Sequence, residues 1–208
     1  ILTAISLADN CHNSVISFAS VLPRAVRPNR VVLTFNCGPC ALEQAVKTMS
    51  NFEIRTSGGG VGAFVDGINL AMDLSDNVVG VLRSALGEHG ALYFRDQKLT
   101  PDDQIAFAEK FGDININRFF AHVDGYPKIA QVLKERDQKK NIGGGWHTDH
   151  TYDLEPAMGS MLHAIETPPS GGDTMYASTC RAYETLSDGF KKTLEGLNAM
   201  HSSRHVFG

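Results

Sequence analysis

Long hydrophobic runs are absent from this chain. No uninterrupted apolar stretch approaches the roughly 20 residues that a helix needs to cross a bilayer. Residues 1–8 carry no basic segment ahead of their apolar side chains, which does not match a secretory signal peptide. We therefore expect a cytoplasmic protein that has no membrane partner.

Cysteine is also scarce, with four residues in a chain of 208. Cys11, Cys37 and Cys40 lie near the beginning, and Cys180 stands alone far from them. This distribution does not resemble the dense cysteine pattern of a small secreted domain that is stapled by disulfides. The expected environment is therefore a reducing one.

Positive charge is in deficit, because 19 Lys and Arg stand against 23 Asp and Glu, for a net charge of -4. A surface that binds nucleic acid or an anionic membrane normally carries an excess of basic residues, so we expect neither partner. Hydrophobic residues make up 42% of the chain and charged residues 20%, as in a folded globular domain. A chain of 208 residues can form one hydrophobic core with a short additional segment.

Residues 1–48 lack the regular periodicity that is seen later in the chain. Pro23 and Pro28 interrupt the pattern, and Met49 stands immediately before the first clearly structured segment. We therefore expect residues 1–48 to be an extension, either non-native or poorly ordered. Residues 49–208 would then be the N-terminal portion of the functional domain.

A redox motif lies within this extension. Residues 30–35 favour a strand, Cys37 and Cys40 enclose a Cys-Gly-Pro-Cys motif, and residues 41–48 favour a helix. This order is typical of thioredoxin-like proteins, in which a helix N-terminus lowers the pKa of the first thiol. Asn36 stands where those proteins have an aromatic residue, and no further βα units follow. A dithiol protein is therefore kept only as an alternative function.

From residue 49 onward the sequence predicts short strands and few helices. Ser75 caps a helix that Gly90 ends, and Thr100 with Pro101 begins a second helix. Two more helices are expected to start near residues 178 and 187. Strands are predicted at 52–55, 61–70, 91–94, 128–132, 158–166 and 173–177. This pattern predicts a mostly β, α+β domain, built as an antiparallel jelly roll with flanking helices.

Residues 143–152, with the sequence GGGWHTDHTY, carry the strongest chemical signal. The three glycines oppose a helix, and the β-branched and aromatic residues behind them favour a strand. Residues i and i+2 of a strand face the same way, so His147 and Asp149 should project together, with Trp146 and Thr148 on the other side. One imidazole nitrogen and one carboxylate are two thirds of the 2-His-1-carboxylate triad that binds Fe(II).

Further motifs accompany this pair in order along the chain. They are HGALYFRDQ at 89–97, FAEKFG at 107–112, WHTD at 146–149, PAMGS at 156–160, GGDT at 171–174 and AYETL at 182–186. Together they resemble the taurine dioxygenase and herbicide dioxygenase (TauD/TfdA) family of Fe(II)- and 2-oxoglutarate-dependent oxygenases. The resemblance extends over about residues 51–208, and several ordered motifs are far more specific than His-x-Asp alone.

The resemblance implies a double-stranded β-helix, or jelly-roll, fold in which His147 and Asp149 are two iron ligands. Thr174 would hydrogen-bond the distal carboxylate of 2-oxoglutarate. The family's reaction consumes O2, converts 2-oxoglutarate to succinate and CO2, and hydroxylates a small organic substrate, here expected to be acidic. The protein's task is to orient that substrate and to exclude water.

The family's third iron ligand, a histidine, and its 2-oxoglutarate arginine come later along the chain than residue 208. We therefore expect a fragment with an incomplete fold, which lacks the last strands and is inactive alone. His201 is a weaker candidate for the third ligand. Arg204 lies too close behind His201 to act as the usual carboxylate clamp.

The resemblance also bears on the substrate. Asn117 and Phe120 stand where taurine enzymes place a histidine and a tyrosine, and Gly143 replaces an asparagine. Donors that would bind a sulfonate are therefore missing, and we expect that taurine is not the substrate. Asn117, Phe120 and His122 are the candidate lining of the substrate pocket.

Two further interpretations of these residues stay open. A zinc hydrolase could use His147, Asp149 and His150, but both histidines would then have to share a helical face, which the glycines oppose. A non-catalytic barrel module that binds a small molecule would also suit a chain with two ligands. Assembly into a homo-oligomer is left open by the sequence.

Overall fold

The structure, a computed structural model, describes residues 2–8, 17–22, 29–35, 52–135, 137–139, 145–149, 151–171 and 173–204. For residues 2–8, 17–22 and 35 it describes the backbone alone. None of the helices in these ranges is both long and apolar enough to span a membrane.

The strands are β1 (Leu2–Ala8), β2 (Ser17–Leu22), β3 (Arg30–Phe35), β4 (Glu53–Thr56), β5 (Ala63–Asp66), β6 (Ala91–Phe94), β7 (Asp113–Asn115), β8 (His122–Val123), β9 (Tyr126–Val132), β10 (Ala157–Ala164) and β11 (Asp173–Ser178). The helices are α1 (Asp76–His89), α2 (Pro101–Glu109), α3 (Thr179–Glu184) and α4 (Asp188–Leu194).

Nine of these strands form one sheet. Its order is β4-β5-β6-β3-β10-β1-β9-β8, and β7 pairs with β1 off this path. The described pairs are antiparallel except for β5 with β6, which run parallel. Strands β2 and β11 form a separate antiparallel ribbon. A mixed sheet with flanking helices is thus observed, in agreement with the predicted α+β class.

Strand β10 lies in the middle of the large sheet. Its register places Ser160 opposite Ser6 of β1 on one edge and Thr34 of β3 on the other. Almost every residue of β10 is buried. Such a near-continuous buried run is typical of a strand that is covered on both faces.

Helix α1 covers one part of this sheet and has the predicted ends. The Ser75 side chain accepts a hydrogen bond from the backbone N–H of Val78, and Gly90 ends the helix with a φ of 73°. Val79, Leu82 and Leu86 are buried at spacings of three and four positions, as expected for a helix that packs with one face, and Ala85 is buried beside them.

Helix α2 begins with a capping box. The Thr100 side chain accepts from the backbone N–H of Asp103, and the Asp103 carboxylate accepts from the backbone N–H of Thr100. Phe107, Ala108 and Phe111 are buried at the C-terminal end of this helix. The rings of Phe107 and Phe111 meet edge to face with centroids 5.2 Å apart.

Arg83 joins the two helices to the central strand. Its Nη2 donates to the backbone oxygens of Phe111, at 2.8 Å, and Lys110, at 3.3 Å. Its Nη1 lies 3.6 Å from the sulfur of Met158 on β10. The guanidinium therefore satisfies carbonyl groups at the end of α2 that have no partner within the helix.

Strand β5 is shorter than the strand predicted over residues 61–70. Gly62 and Gly67 flank it with φ angles of 88° and 86°, a left-handed conformation that cannot continue an extended ladder. A Cβ atom at Gly62 would also lie only 2.4 Å from the ring of Tyr93. The two glycines therefore set the ends of β5.

Strands β1 and β3 come from the segment that the sequence analysis treated as an extension. β1 pairs with β7, β9 and β10, and β3 joins β6 to β10. Val31 and Leu33 of β3 are fully buried in the core. Apolar side chains of β3 thus pack into the same core as α1, and that residues 1–48 are a poorly ordered extension stays a prediction. That the segment is non-native stays a prediction, and Cys37 and Cys40 lie outside the described residues.

The C-terminal elements lie apart from the core. Ser178 and Ser187 cap α3 and α4 as predicted, but neither helix has a buried residue. Strand β11 pairs with β2 alone among the described strands. Described contacts to the rest of the molecule include the Tyr176 ring against Tyr93 of β6, with centroids 6.3 Å apart, and Nη1 of Arg181 on α3, which donates to the backbone oxygen of Gly60.

We expect Leu33→Ala to lower the free energy of unfolding by about 2–5 kcal/mol, because the change leaves a cavity in the core. Chemical denaturation followed by circular dichroism measures this value. Leu197→Ala, the same change at a residue that is 68% exposed, should alter it by less than about 0.5 kcal/mol. An unchanged value for Leu33→Ala would show that β3 does not belong to the folded domain.

Candidate metal centre

The segment that carries His147 and Asp149 is not the strand that its sequence predicts. Residues 146–148 have no regular secondary structure and lie between bends at residues 145 and 149. Trp146 is half exposed. Without a partner strand among the described residues, the β-propensity of the threonines is not sufficient to form a ladder. His147 and Asp149 nevertheless lie side by side, as the i, i+2 spacing predicted.

His147 is held at both ring nitrogens. Its Nδ1 lies 2.8 Å from the backbone oxygen of Gly145, and its Nε2 lies 3.3 Å from Oδ1 of Asp149. Because a carbonyl oxygen can only accept, Nδ1 carries a proton, and the neutral ring then has its lone pair on Nε2. Nε2 and the carboxylate oxygen are then two acceptors that face each other, and a shared proton or a bound metal cation would stabilise this arrangement.

The contact with Asp149 also affects the pKa of His147. The hydrogen bond to Asp149 is the main cause that raises this pKa above its usual 6.5, and the Gly145 carbonyl and the Asp149 charge add to it, while burial opposes it. A raised histidine pKa stabilises the fold at low pH. That stabilisation is lost as the pH rises through the folded-state pKa.

Asp149 is supported from strand β10. The hydroxyl of Ser160, which is almost fully buried, lies 3.5 Å from Oδ2 of Asp149. One carboxylate oxygen therefore faces His147 and the other faces the sheet. Residues that orient a ligand from behind are a regular part of metal sites. Ser160 lies in the PAMGS motif, but nothing in the sequence alone marks it as a partner of Asp149.

Strand β11 carries Thr174 and a residue that the sequence analysis missed. Thr174 is exposed, and Tyr176 follows it by two positions, so both side chains belong to the same face of the strand. The hydroxyl oxygen of Tyr176 is buried and has no hydrogen-bond partner among the described residues. Burial is the main cause that raises the pKa of Tyr176, and the charge of Asp149 contributes. Strand alternation was the signal that could have found it.

The candidate pocket residues form a turn. Oδ1 of Asn117 accepts from the backbone N–H groups of Phe119, at 2.8 Å, and Phe120, at 3.2 Å. Nε2 of His122 lies 2.9 Å from the backbone oxygen of Asn117. The Asn117 and His122 side chains therefore shape the loop that was predicted to line the pocket, and they do not point freely into a cavity.

This loop is tied to the segment that follows Asp149. Nη2 of Arg118 contacts Oδ1 of Asp153 at 2.7 Å. The rings of Phe119 and Tyr152 meet edge to face with centroids 6.3 Å apart. The structure thus brings the predicted pocket loop next to the predicted metal ligands, although about 30 residues separate them in sequence.

His201 also comes close to this segment. Its Nδ1 lies 3.0 Å from the hydroxyl oxygen of Thr151, which in turn lies 2.6 Å from the hydroxyl of Thr148. Even so, no three His, Cys, Asp or Glu residues in the described part of the chain lie close enough together to hold a metal. His150, which the zinc alternative requires, lies outside the described residues, as does Gly143.

The donor set fits a divalent metal such as Fe(II) as a partial site. A neutral imidazole and a carboxylate converge on one point, and the second ring nitrogen is fixed by a backbone carbonyl, as in most histidine metal ligands. Nitrogen and oxygen donors of this kind suit iron.

The comparisons with known proteins agree with this chemistry. The model of the family described as taurine catabolism dioxygenase TauD, TfdA family matches residues 53–208. The chain belongs to this family. The match covers the sheet from β4 onward, the segment with His147 and Asp149, and strand β11, and it leaves β1, β2 and β3 outside.

Three curated relatives illustrate the range of the family. An alkylsulfatase of Acinetobacter baylyi is 35% identical over 158 residues, which are 75% of this chain and 49% of the relative. A 2,4-dichlorophenoxyacetate dioxygenase of a Burkholderia strain is 34% identical, over 68% of this chain and 53% of the relative. An alpha-ketoglutarate-dependent sulfonate dioxygenase of Saccharomyces cerevisiae is 30% identical, over 69% and 37%. The chain thus spans about half the length of the curated relatives it matches, or less.

A solved structure gives the same picture. A Burkholderia xenovorans protein assigned as an alpha-ketoglutarate-dependent taurine dioxygenase superposes with a TM-score of 0.58 and 27% sequence identity. The superposition covers 70% of this chain and 51% of that protein. These relatives give no support to a dithiol protein or to a non-catalytic binding module.

We expect Asp149→Asn to lower the pKa of His147 toward its usual value, because the largest cause of the raised value is the hydrogen bond to this carboxylate. An NMR titration of the imidazole in metal-free protein measures the change. Asp153→Asn is the matched control, since the Asp153 carboxylate pairs with Arg118. An unchanged titration in Asp149→Asn would contradict the pairing of His147 with Asp149.

Proposed function

We propose that this chain contributes the iron centre of an Fe(II)- and 2-oxoglutarate-dependent dioxygenase. The observation that carries the proposal is the contact between His147 Nε2 and Asp149 Oδ1, with Nδ1 of the ring bound to the Gly145 carbonyl. The chain belongs to a dioxygenase family, and this pair lies in the motif that resembles the family's metal site. Either feature alone would be weaker support.

His147 and Asp149 would hold the metal through Nε2 and Oδ1. Bound iron would supply the chemistry that couples O2 reduction to the conversion of 2-oxoglutarate into succinate and CO2, with hydroxylation of the substrate. The Gly145 carbonyl keeps the lone pair of His147 on the metal side. Ser160 orients the remaining oxygen of Asp149. Each of these contacts reduces the freedom of a ligand before the metal arrives.

Thr174 is proposed as a hydrogen-bond donor to the distal carboxylate of 2-oxoglutarate. It lies on β11, and its side chain is exposed in the ligand-free protein, so it is accessible to a small diacid. The same strand carries Tyr176, whose surroundings include the Asp149 charge. One face of β11 would therefore follow the co-substrate from its distal end toward the metal.

The substrate is proposed to be a small organic molecule with an anionic group. The relatives include proteins named for sulfonates, for sulfate esters and for 2,4-dichlorophenoxyacetate, which is a carboxylate. The loop with Asn117, Phe120 and His122 would form one wall of the pocket, because Arg118 and Phe119 fix it beside residues 152–153. That taurine is excluded stays a prediction, which rests on the residue types at Asn117 and Phe120.

The jelly-roll topology, the cellular location and the oligomeric state are proposals as well. A double-stranded β-helix is supported by the two separate sheets, with β10 in one and β11 in the other. A cytoplasmic location is supported by the low cysteine count. Association into a homo-oligomer is left to measurement of the mass in solution.

Anaerobic addition of Fe(II) and 2-oxoglutarate should produce a visible metal-to-ligand charge-transfer band, and O2 should then convert 2-oxoglutarate to succinate. His147→Ala and Asp149→Ala should each lower the Fe(II) affinity by more than about 100-fold, because even residues behind the ligands contribute about 10–100-fold. Absorption spectroscopy and calorimetric titration measure these effects.

Two remote variants serve as controls for this test. His89→Ala lies at the end of α1, and Asp124→Ala lies in the exposed turn between β8 and β9. Both should keep the iron affinity of the unaltered protein. If neither a band nor succinate appears with the protein in its natural full length, the dioxygenase proposal is wrong.

A further inference from the structure

The buried hydroxyl of Tyr176 has no role in the fold that the described contacts explain. Its oxygen is shielded from solvent and has no hydrogen-bond partner among the described residues. A buried hydroxyl without a partner is unfavourable, and such groups in folded proteins often mark a place where a ligand binds. We propose that Tyr176 is a positioning residue that donates a hydrogen bond to the metal-side carboxylate of 2-oxoglutarate. The inference rests on the proposed function.

The geometry of β11 supports this placement. Residues i and i+2 of a strand lie roughly 6.6 Å apart and face the same way, so Tyr176 follows Thr174 along one face. That separation is of the order of the distance between the two carboxylates of a five-carbon diacid. If Thr174 binds the distal carboxylate, Tyr176 is the next side chain on that face that could reach the other one.

The groups that act on the Tyr176 hydroxyl include the proposed metal ligand Asp149. Burial is the main cause that raises the pKa of Tyr176, and Tyr93 and then the negative charge of Asp149 add to it. The proposed metal ligand is therefore one of the charged groups that act on this phenol. A phenol that stays protonated is a hydrogen-bond donor, which suits a carboxylate acceptor.

Tyr93 fixes the position of the Tyr176 ring. The two ring centroids lie 6.3 Å apart with an interplanar angle of 50°. Tyr93 itself is packed against Gly62, where an added Cβ would lie 2.4 Å from its ring. Because a glycine, a buried strand of the large sheet and a second aromatic ring define this wall, the hydroxyl is presented from a rigid position. Pre-organised donors of this kind cost little entropy on binding.

The test compares Tyr176→Phe with the unaltered protein, using Co(II) as an iron substitute and calorimetry to measure ligand dissociation constants. The ligands are 2-oxoglutarate and 2-oxopentanoate, which has a methyl group in place of the distal carboxylate. Loss of a hydrogen bond to a charged group should weaken binding of both ligands by at least about tenfold. Thr174→Val should weaken binding of 2-oxoglutarate alone.

Tyr183→Phe is the matched control, because it removes the same hydroxyl from an exposed residue on α3. It should leave both dissociation constants unchanged. Thermal unfolding of ligand-free protein separates positioning from a structural role: the melting temperature of Tyr176→Phe should not fall below that of the unaltered protein, because no described contact is lost. A lower melting temperature would indicate a structural hydrogen bond and would overturn the proposal.

The remaining outcomes are distinct. Unchanged dissociation constants in Tyr176→Phe would overturn this inference and leave the proposed function intact. Weaker binding of 2-oxoglutarate with unchanged 2-oxopentanoate would place the hydroxyl at the distal carboxylate, against the proposal. An effect only on the KM of the organic substrate would make Tyr176 a substrate contact, also against it. If the unaltered protein in its natural full length bound neither ligand, the proposed function would fail and this inference with it.

Discussion

The hydrogen-bonded ladder on both edges of β10 is the constraint on which the rest of the molecule depends. β1 and β3 pair with this strand from opposite sides, and its side chains are buried on both faces. Helices α1 and α2 reach it through Arg83, whose guanidinium contacts Met158 and the end of α2. A strand that is fixed in this way has no freedom to shift its register. Groups that are attached to it therefore have defined positions.

The proposed ligands of the candidate metal centre contact fixed groups of the fold, although their own segment has no regular secondary structure. Residues 146–148 belong to no strand or helix, yet Asp149 is reached by Ser160 from β10, and the Gly145 carbonyl orients the His147 ring. Ligands on a loop are placed accurately when each of them has a second contact to a fixed group. The pocket loop follows the same rule, because Arg118 and Phe119 join it to the segment behind Asp149.

Local signals in the sequence were sufficient for most of the elements. The starts of the four helices were predicted correctly, at Ser75, at Thr100 and near residues 178 and 187, because a capping side chain acts on backbone groups within its own first turn. Prediction from the sequence was insufficient where the structure depends on pairing with segments that are distant along the chain. The segment with His147 has strand-forming residues but no described partner strand. The strand predicted at residues 30–35 is β3, but its place between β6 and β10 depends on partners from far along the chain.

The sequence by itself determined the family through its ordered motifs, and it pointed to His147 and Asp149 as the proposed ligand pair through their spacing. Only the tertiary structure decided which groups stand behind that pair. Ser160, the loop around Asn117 and the buried hydroxyl of Tyr176 come from separate strands and loops. Strand alternation relates Tyr176 to Thr174, but the approach of all three groups to the ligand pair depends on sheet order and side-chain packing, which are non-local.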